Sequence, residues 1–236
     1  MTWFEMRQSF KEALVNIVEL DKRLPNLRPI PQRSVHFMLN DLTDPDPGKR
    51  RYWSFYLSVI VAKDCSQDTL QRMLIGLNDS DIEVRRNIST AFAACGYTPA
   101  IDGLIRMLRN SDDEAHHAVD CLCAIGEKAV PALLNVMVSN QGPVTDAALE
   151  ASRALSKMGV EVIDWILAAL RDEGIDKWRN VEAGLMATLL DFPKEAANKL
   201  LAMQRNTRDS NPQLADKVEW VYKLLQYSLA EDKRRG

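Results

Sequence analysis

The chain of 236 residues contains no apolar run near the roughly 18–20 residues needed to cross a bilayer. A membrane-spanning role is therefore not expected. Its first residues, Met1-Thr2-Trp3-Phe4-Glu5-Met6-Arg7, form neither a basic stretch nor an unbroken apolar one, so no secretory leader is expected. Glycine is sparse, with ten residues scattered singly, and no Gly-rich phosphate loop or Gly-x-Ser-x-Gly elbow can be assembled from them. There are three histidines, His36, His116 and His117, too few to complete an obvious His-based catalytic metal site. No segment shows convincing alternation of apolar and polar residues, which excludes a sheet-based fold. The catalytic classes that leave a sequence signature are thus missing, and no cofactor or catalytic residue is assigned.

The four cysteines, Cys65, Cys95, Cys121 and Cys123, fall inside apolar helical patterns and not in a spaced framework. Cys121 and Cys123 are two residues apart and point in nearly opposite directions on a helix, so they cannot clamp one metal. Buried free thiols in a reducing compartment, the cytoplasm, are expected. The net charge is −3, but it is unevenly spread. Residues 22–63 hold eight Lys/Arg against three Asp/Glu, whereas residues 111–195 hold seven against fifteen. One end of the molecule is therefore suited to an acidic partner.

What the sequence has in quantity is helix punctuation. Proline follows a good cap or a glycine at Asp46-Pro47, Thr98-Pro99, Gly142-Pro143 and Asn211-Pro212, and Pro131 and Pro193 sit at plausible first turns. Proline suits a first helical turn because its missing N–H has no intrahelical partner there. Gly96, Gly126 and Gly159 stand where a helix would end in a left-handed residue. Between these marks, Leu70, Met73, Leu74 and Leu77 follow i, i+3, i+4, i+7, as do Ile101, Leu104, Ile105 and Leu108, and Ile163, Ile166, Leu167 and Leu170. About eleven or twelve helices of about 9–17 residues are expected from this spacing. The stretch from Met73 to Asp81 recurs from Leu104 to Asp112, an offset of 31 residues. Ser80 with Glu83, and Ser111 with Glu114, read as capping boxes. Each unit is a helical hairpin with an apolar face that only a stacked neighbour can bury.

The segment Leu77-Asn78-Asp79-Ser80-Asp81-Ile82-Glu83-Val84-Arg85-Arg86 resembles the core of a HEAT-like repeat of the short variety found in phycobilisome lyases. Ala100 to Ile105 and Lys128 to Leu134 resemble the first helices of the next two repeats. The resemblance is clear over residues 69–159, weaker to about 228, and degenerate over 34–64. It departs from the pattern at His116, where arginine is usual, and in the fourth unit, which lacks the Asp-x-x-Val-Arg signature. It implies an all-α, right-handed α-α superhelix, a HEAT-like solenoid of about five to six hairpins. Residues 1–33 would supply an N-terminal capping helix and a Pro-rich connector, and residues 34–236 the solenoid, as one domain. The tail from Glu231 to Gly236 is expected to fray.

Repeats of this kind host unrelated functions, so function has to come from individual residues. Asp113 and His117 share a helix face, as do His116 and Asp120, but a third metal ligand is missing and no metal is assigned. Second helices start with Lys49-Arg50-Arg51, Arg85-Arg86, His116-His117, and later Lys177 and Arg179; in the family these helices line the concave face. Arg85 reads as a ladder residue bonding Asp81 or Asp112 of the adjacent repeat. Tyr52-Trp53-Ser54-Phe55-Tyr56 places four aromatics over roughly 160° of one helix, more than the ~100° a single buried stripe needs. Some of that surface is expected either to pack under the N-terminal helix or to remain free to bind. The expected function is a non-enzymatic adaptor that binds another protein carrying an acidic patch, through Lys49, Arg50, Arg51, Tyr52, Tyr56 and Arg86. The family resemblance implies an alternative, a phycobilin-lyase-like or chaperone-type action on a cofactor-bearing protein. Nucleic-acid binding is a third reading; the pI near 5.7 and the acidic segment argue against it. Oligomeric state has no sequence signature here.

Overall fold

The computed structural model describes Glu5, Arg7, Gln8, Glu12 and residues 34–63, 66–139, 146–172 and 182–235. Among them every regular element is a helix, and the chain divides into two compact units, Met1–Ala129 and Val130–Gly236. In the first unit three helical hairpins follow one another. Helix α1 (Ser34–Asp41) pairs with α2 (Pro47–Lys63), α3 (Gln67–Met73) with α4 (Ile82–Cys95), and α5 (Ile101–Met107) with α6 (Asp112–Ile125). The second helices lie side by side, α2 against α4 and α4 against α6. In the second unit α7 (Val130–Ser139) packs on α8 (Asp146–Met158), and α9 (Val162–Asp172), α10 (Glu182–Asp191), α11 (Pro193–Thr207) and α12 (Pro212–Arg235) follow. There α8 packs on α10, and α11 on α12. The all-α helical-repeat expectation holds.

Of the apolar stripes read from the sequence, Leu70, Met73, Leu77, Leu104, Leu108, Ile163, Ile166 and Leu167 are buried, and Leu74, Ile101 and Ile105 are half-buried. Leu70, Met73, Ile88, Phe92 and Leu104 are fully enclosed in the first unit, and Ile163, Ile166 and Leu200 in the second. Each such side chain contributes about 1.5–3 kcal/mol on leaving water, and none can do so within one hairpin alone. The punctuation works as expected at several ends. Asp46 Oδ1 accepts from Gly48 N at 2.8 Å at the start of α2, and Asn211 Oδ1 accepts from Leu214 N at 3.1 Å at the start of α12. Gly96, Gly126 and Gly159 all have positive φ. Gly96 shows why: after α4 the chain turns with φ 60°, and Tyr97 N reaches back to the Phe92 carbonyl at 2.9 Å.

Other readings need correction. The N-cap of α4 is Asp81, not Ser80: Asp81 is extended at φ −89°, and its Oδ1 accepts from Glu83 N at 2.9 Å and Val84 N at 3.4 Å. Ser111 does precede α6, but its side chain makes no cap hydrogen bond. Glu114 is buried and pairs elsewhere, so neither capping box forms. The first helices are shorter than expected, seven residues in α3 and α5, because tight 3₁₀ turns at Leu74–Asn78 and Thr98–Ala100 take up part of each. Helix α12 runs for 24 residues to Arg235, so the C-terminal residues expected to fray are helical. Cys121 and Cys123 are buried free thiols, as expected, but Cys95 is disulfide-bonded. Which sulfurs meet depends on how hairpins stack, which spacing along the chain does not reveal.

Of the N-terminal segment, Glu5, Arg7, Gln8 and Glu12 are helical. Arg7 reaches far along the chain. Its Nε donates to the Ala124 carbonyl at 3.2 Å and its Nη2 to the Ile125 carbonyl at 3.0 Å. A cation there satisfies carbonyls left over at the end of α6 and suits the negative end of the helix dipole. A Cβ on Gly96 would overlap this guanidinium, a second reason for glycine at that turn. The apolar residues expected to pack from this segment (Trp3, Phe10, Leu14, Ile17 and Val18), the connector 22–33, the Gly142-Pro143 pair, and Lys177 and Arg179 lie outside the described residues.

Candidate protein-binding face

The basic start of α2 is fixed by acids from the next hairpin. Arg50 forms a bidentate pair with Asp79, Nε to Oδ2 at 2.7 Å and Nη2 to Oδ1 at 3.0 Å, and its Nη1 donates to the Asp44 carbonyl at 2.8 Å. Its side chain is only 12% exposed, and the paired carboxylate keeps it firmly charged. Arg51 donates from Nε to Asp81 Oδ2 at 2.6 Å but remains 54% exposed. Lys49 pairs with Asp44 at 3.0 Å on the surface. One hairpin further on the same device recurs. Arg85 forms a bidentate pair with Glu114, with Nη2 to Oε2 at 2.7 Å, and Nη1 donates to the Asp79 carbonyl at 2.6 Å.

Arg85 is therefore a ladder residue, as expected, but its partner is Glu114 and not Asp81 or Asp112. Burial pushes the Glu114 carboxyl up, and the Arg85 guanidinium outweighs that and holds it below its ordinary value. The three pairs link residues 29, 30 and 29 apart, close to the internal repeat. That spacing was the available signal for Asp79, Asp81 and Glu114, which residue-by-residue reasoning missed.

Of the basic residues at this face, Arg86 is the least compensated. Its Nη1 lies 3.5 Å from Glu83 Oε1, at the limit of a hydrogen bond, and its buried Nε has no partner among the described residues. Beside it, Asn87 Nδ2 donates to Ser54 Oγ at 3.0 Å and locks α4 against α2.

The four aromatics of α2 divide as their angular spread requires. Phe55 packs on the small core cluster of Val59, Ala62 and Ala94. Tyr56 is 7% exposed, while Tyr52, one turn earlier, is 50% exposed. The Tyr52 ring is braced from two sides, edge-on to Trp53 with centroids 4.8 Å apart and tilted against Tyr56 at 4.7 Å. Such contacts are worth about 0.5–1.5 kcal/mol beyond burial and hold the exposed ring in place. The six residues assigned from sequence thus separate. Arg50 and Tyr56 are structural supports, Lys49 and Arg51 are exposed but paired, Tyr52 is half-exposed, and Arg86 is half-buried with one marginal pair.

No protein-family model matches this chain, and no curated protein does. Solved structures resemble it, among them the following two. One is an engineered protein from the Northeast Structural Genomics Consortium, 17% identical, with 83% of this chain and 97% of that one covered and a TM-score of 0.40. The other is the complex of CpcE and CpcF of phycocyanin lyase from Nostoc sp. PCC7120, 18% identical, with 85% and 100% covered and a TM-score of 0.38. At this distance neither assigns a function.

The histidine pair of α6 splits as well. His116 is exposed. His117 is largely enclosed, with Nε2 3.0 Å from Ser89 Oγ, 3.4 Å from Thr90 Oγ1 and 3.5 Å from Cys121 Sγ. The Ser89 and Thr90 hydroxyls both donate to the Arg86 carbonyl, which leaves His117 Nε2 to act as donor to Ser89. Burial lowers the His117 pKa, with the Arg86 charge acting in the same direction, and pushes the Cys121 thiol far up. This pair is suited to holding α4 against α6, and a protonated Cys121 is no nucleophile. Among the described residues no group of three His, Cys, Asp or Glu side chains comes together as a metal site would require.

Proposed function

We propose that this chain is a HEAT-like adaptor that binds another protein through the face formed by the start of α2 and the neighbouring turn of α4. The observation that carries the reading is the half-exposed Tyr52 ring, braced by Trp53 and Tyr56. A rigid aromatic on a surface loses little freedom on docking, and Tyr, Trp and Arg dominate binding hot spots. Arg51 lies one residue away, and Arg86 stands on the adjacent helix with weak internal compensation. An acidic segment on the partner would pair with these two guanidinium groups, and the charge would guide its approach.

The test is a capture of partners from native lysate, quantified by mass spectrometry, on wild type, Tyr52→Ala and Arg51→Glu/Arg86→Glu. Tyr52→Ala gives up two ring contacts and the double variant removes the partner of the Asp81 cap, so melting curves are recorded on each variant and capture is compared well below its transition. Both should lose the same partner, and added salt should weaken wild-type capture. Equal capture by stable variants refutes the face. A chromophore-bearing protein among the captured partners would point to the lyase-like alternative.

A further inference from the structure

The second unit contains an open groove of about 370 Å³ between α9 and α11. Two stripes line it, each with i, i+3/i+4, i+7 spacing. On α9 the stripe runs from Asp164 through Leu167 to Arg171, and on α11 from Lys199 through Met203 to Asn206. Leu167 and Met203 are nearly buried and form an apolar floor. Ala168 and Ala202 stand on the walls, and their short side chains leave the space that a larger pair would fill. Lys199 Nζ meets Asp164 Oδ2 at 2.6 Å, which closes one end with a neutral pair. That pair also sets the helices in the same direction, so Arg171 and Asn206 share the other end. Arg171 is exposed and has no hydrogen-bond or salt-bridge partner among the described residues. The groove is therefore apolar in the middle, neutral at one end, and cationic with an added amide at the other. Seven residues of helix give it a length of about 10 Å, close to two helical turns.

We propose that this groove receives an acidic amphipathic helix of a partner protein, with two apolar side chains one turn apart on the floor and a carboxylate paired with Arg171. Helix-in-groove docking reads such i, i+4, i+7 anchors, and an arginine fork binds a carboxylate bidentately. The site lies on other helices than the Tyr52 face and does not depend on it.

The probe is a fluorescein-labelled, helix-biased peptide with two leucines one turn apart and a glutamate a further turn along, together with a twin in which lysine replaces the glutamate. Anisotropy titrations of the full chain should show the glutamate peptide binding at least about tenfold tighter than its twin, which corresponds to ~1.4 kcal/mol. Arg171→Glu should reverse that preference, and Ala202→Trp, which fills the groove from an exposed position, should abolish binding of both peptides. Methyl signals of Leu167 and Met203 should shift on titration with the glutamate peptide. Both variants should retain the wild-type melting temperature. Failure of the glutamate peptide to bind at millimolar concentration, equal affinity for the two peptides, or binding that survives Ala202→Trp overturns the proposal. Concentration-dependent dimerisation of the chain that Ala202→Trp abolishes would also overturn it, in favour of a second copy as the occupant.

Discussion

Replacing Arg85 with alanine should be among the most damaging single changes in the first unit, and its damage should shrink in acid. The Glu114 side chain is 2% exposed and depends on Arg85, which holds both carboxylate oxygens. Removing one partner of a buried pair leaves an uncompensated charge and typically costs about 3–5 kcal/mol. The Asp79 carbonyl loses a donor as well. At about 2–8 °C of melting temperature per kcal/mol for domains of this size range, a fall of about six degrees or more is expected. The pH dependence has opposite signs in the two proteins. In wild type the folded pKa of Glu114 lies below its unfolded value, so the pair stabilises above the unfolded value and that stability is lost as pH falls through the folded pKa. Without Arg85, burial, the largest influence on this carboxyl, is opposed only by the Asn110 hydrogen bond and the Arg86 charge; the pKa therefore rises, and protonation then relieves the variant. The gap between Arg85→Ala and wild type should therefore narrow as pH is lowered from 7 toward 4. Arg85→Ala/Glu114→Gln should recover part of the loss, because a neutral amide tolerates burial better than a lone carboxylate. Urea denaturation at several pH values measures all three. A variant within 1 kcal/mol of wild type at pH 7, or a gap that stays constant or widens in acid, would refute the ladder.

Asp81→Ala should lose about 1 kcal/mol through the α4 cap, Asp81→Asn should keep most of it, and Ser80→Ala and Ser111→Ala should stay within about 0.5 kcal/mol of wild type; chemical denaturation decides. His117, with a folded pKa below its unfolded value, is neutral in both states at high pH. Stability should therefore fall as pH drops below about 6.5 toward the folded pKa, and His117→Gln should flatten that slope in thermal melts across pH 5–8. Peptide mapping should find Cys95 alkylated only after reduction, whereas Cys121 and Cys123 should react without reductant once the chain is unfolded.

The sequence determined where most helices lie and which of their faces are buried, because those signals act within a few residues. Proline and Asp46 at the start of α2, Asn211 at the start of α12, the positive-φ glycines and the i, i+3, i+4 stripes all rest on local backbone chemistry. It also marked Arg85 as structural and the aromatics of α2 as too widely spread for a single buried stripe. Three things were decided only by tertiary structure. Ser80 and Asp81 are both good caps, and the choice of Asp81 came with the extended backbone at that residue and with Arg51 on its other oxygen. The partners of Arg50, Arg51 and Arg85 were set by how closely one hairpin stacks on the next. A shift of one residue would have exchanged Asp79 for Ser80, or Glu114 for Asp113. Arg7 reached the last carbonyls of α6, 117 and 118 residues away, and no local pattern encodes such a contact. The basic start of α2 was legible as composition, but its division into buried ladder, paired surface charge and exposed tyrosine was not. Charge and aromaticity belong to residues, whereas their availability to a partner depends on what the neighbouring helix places against them.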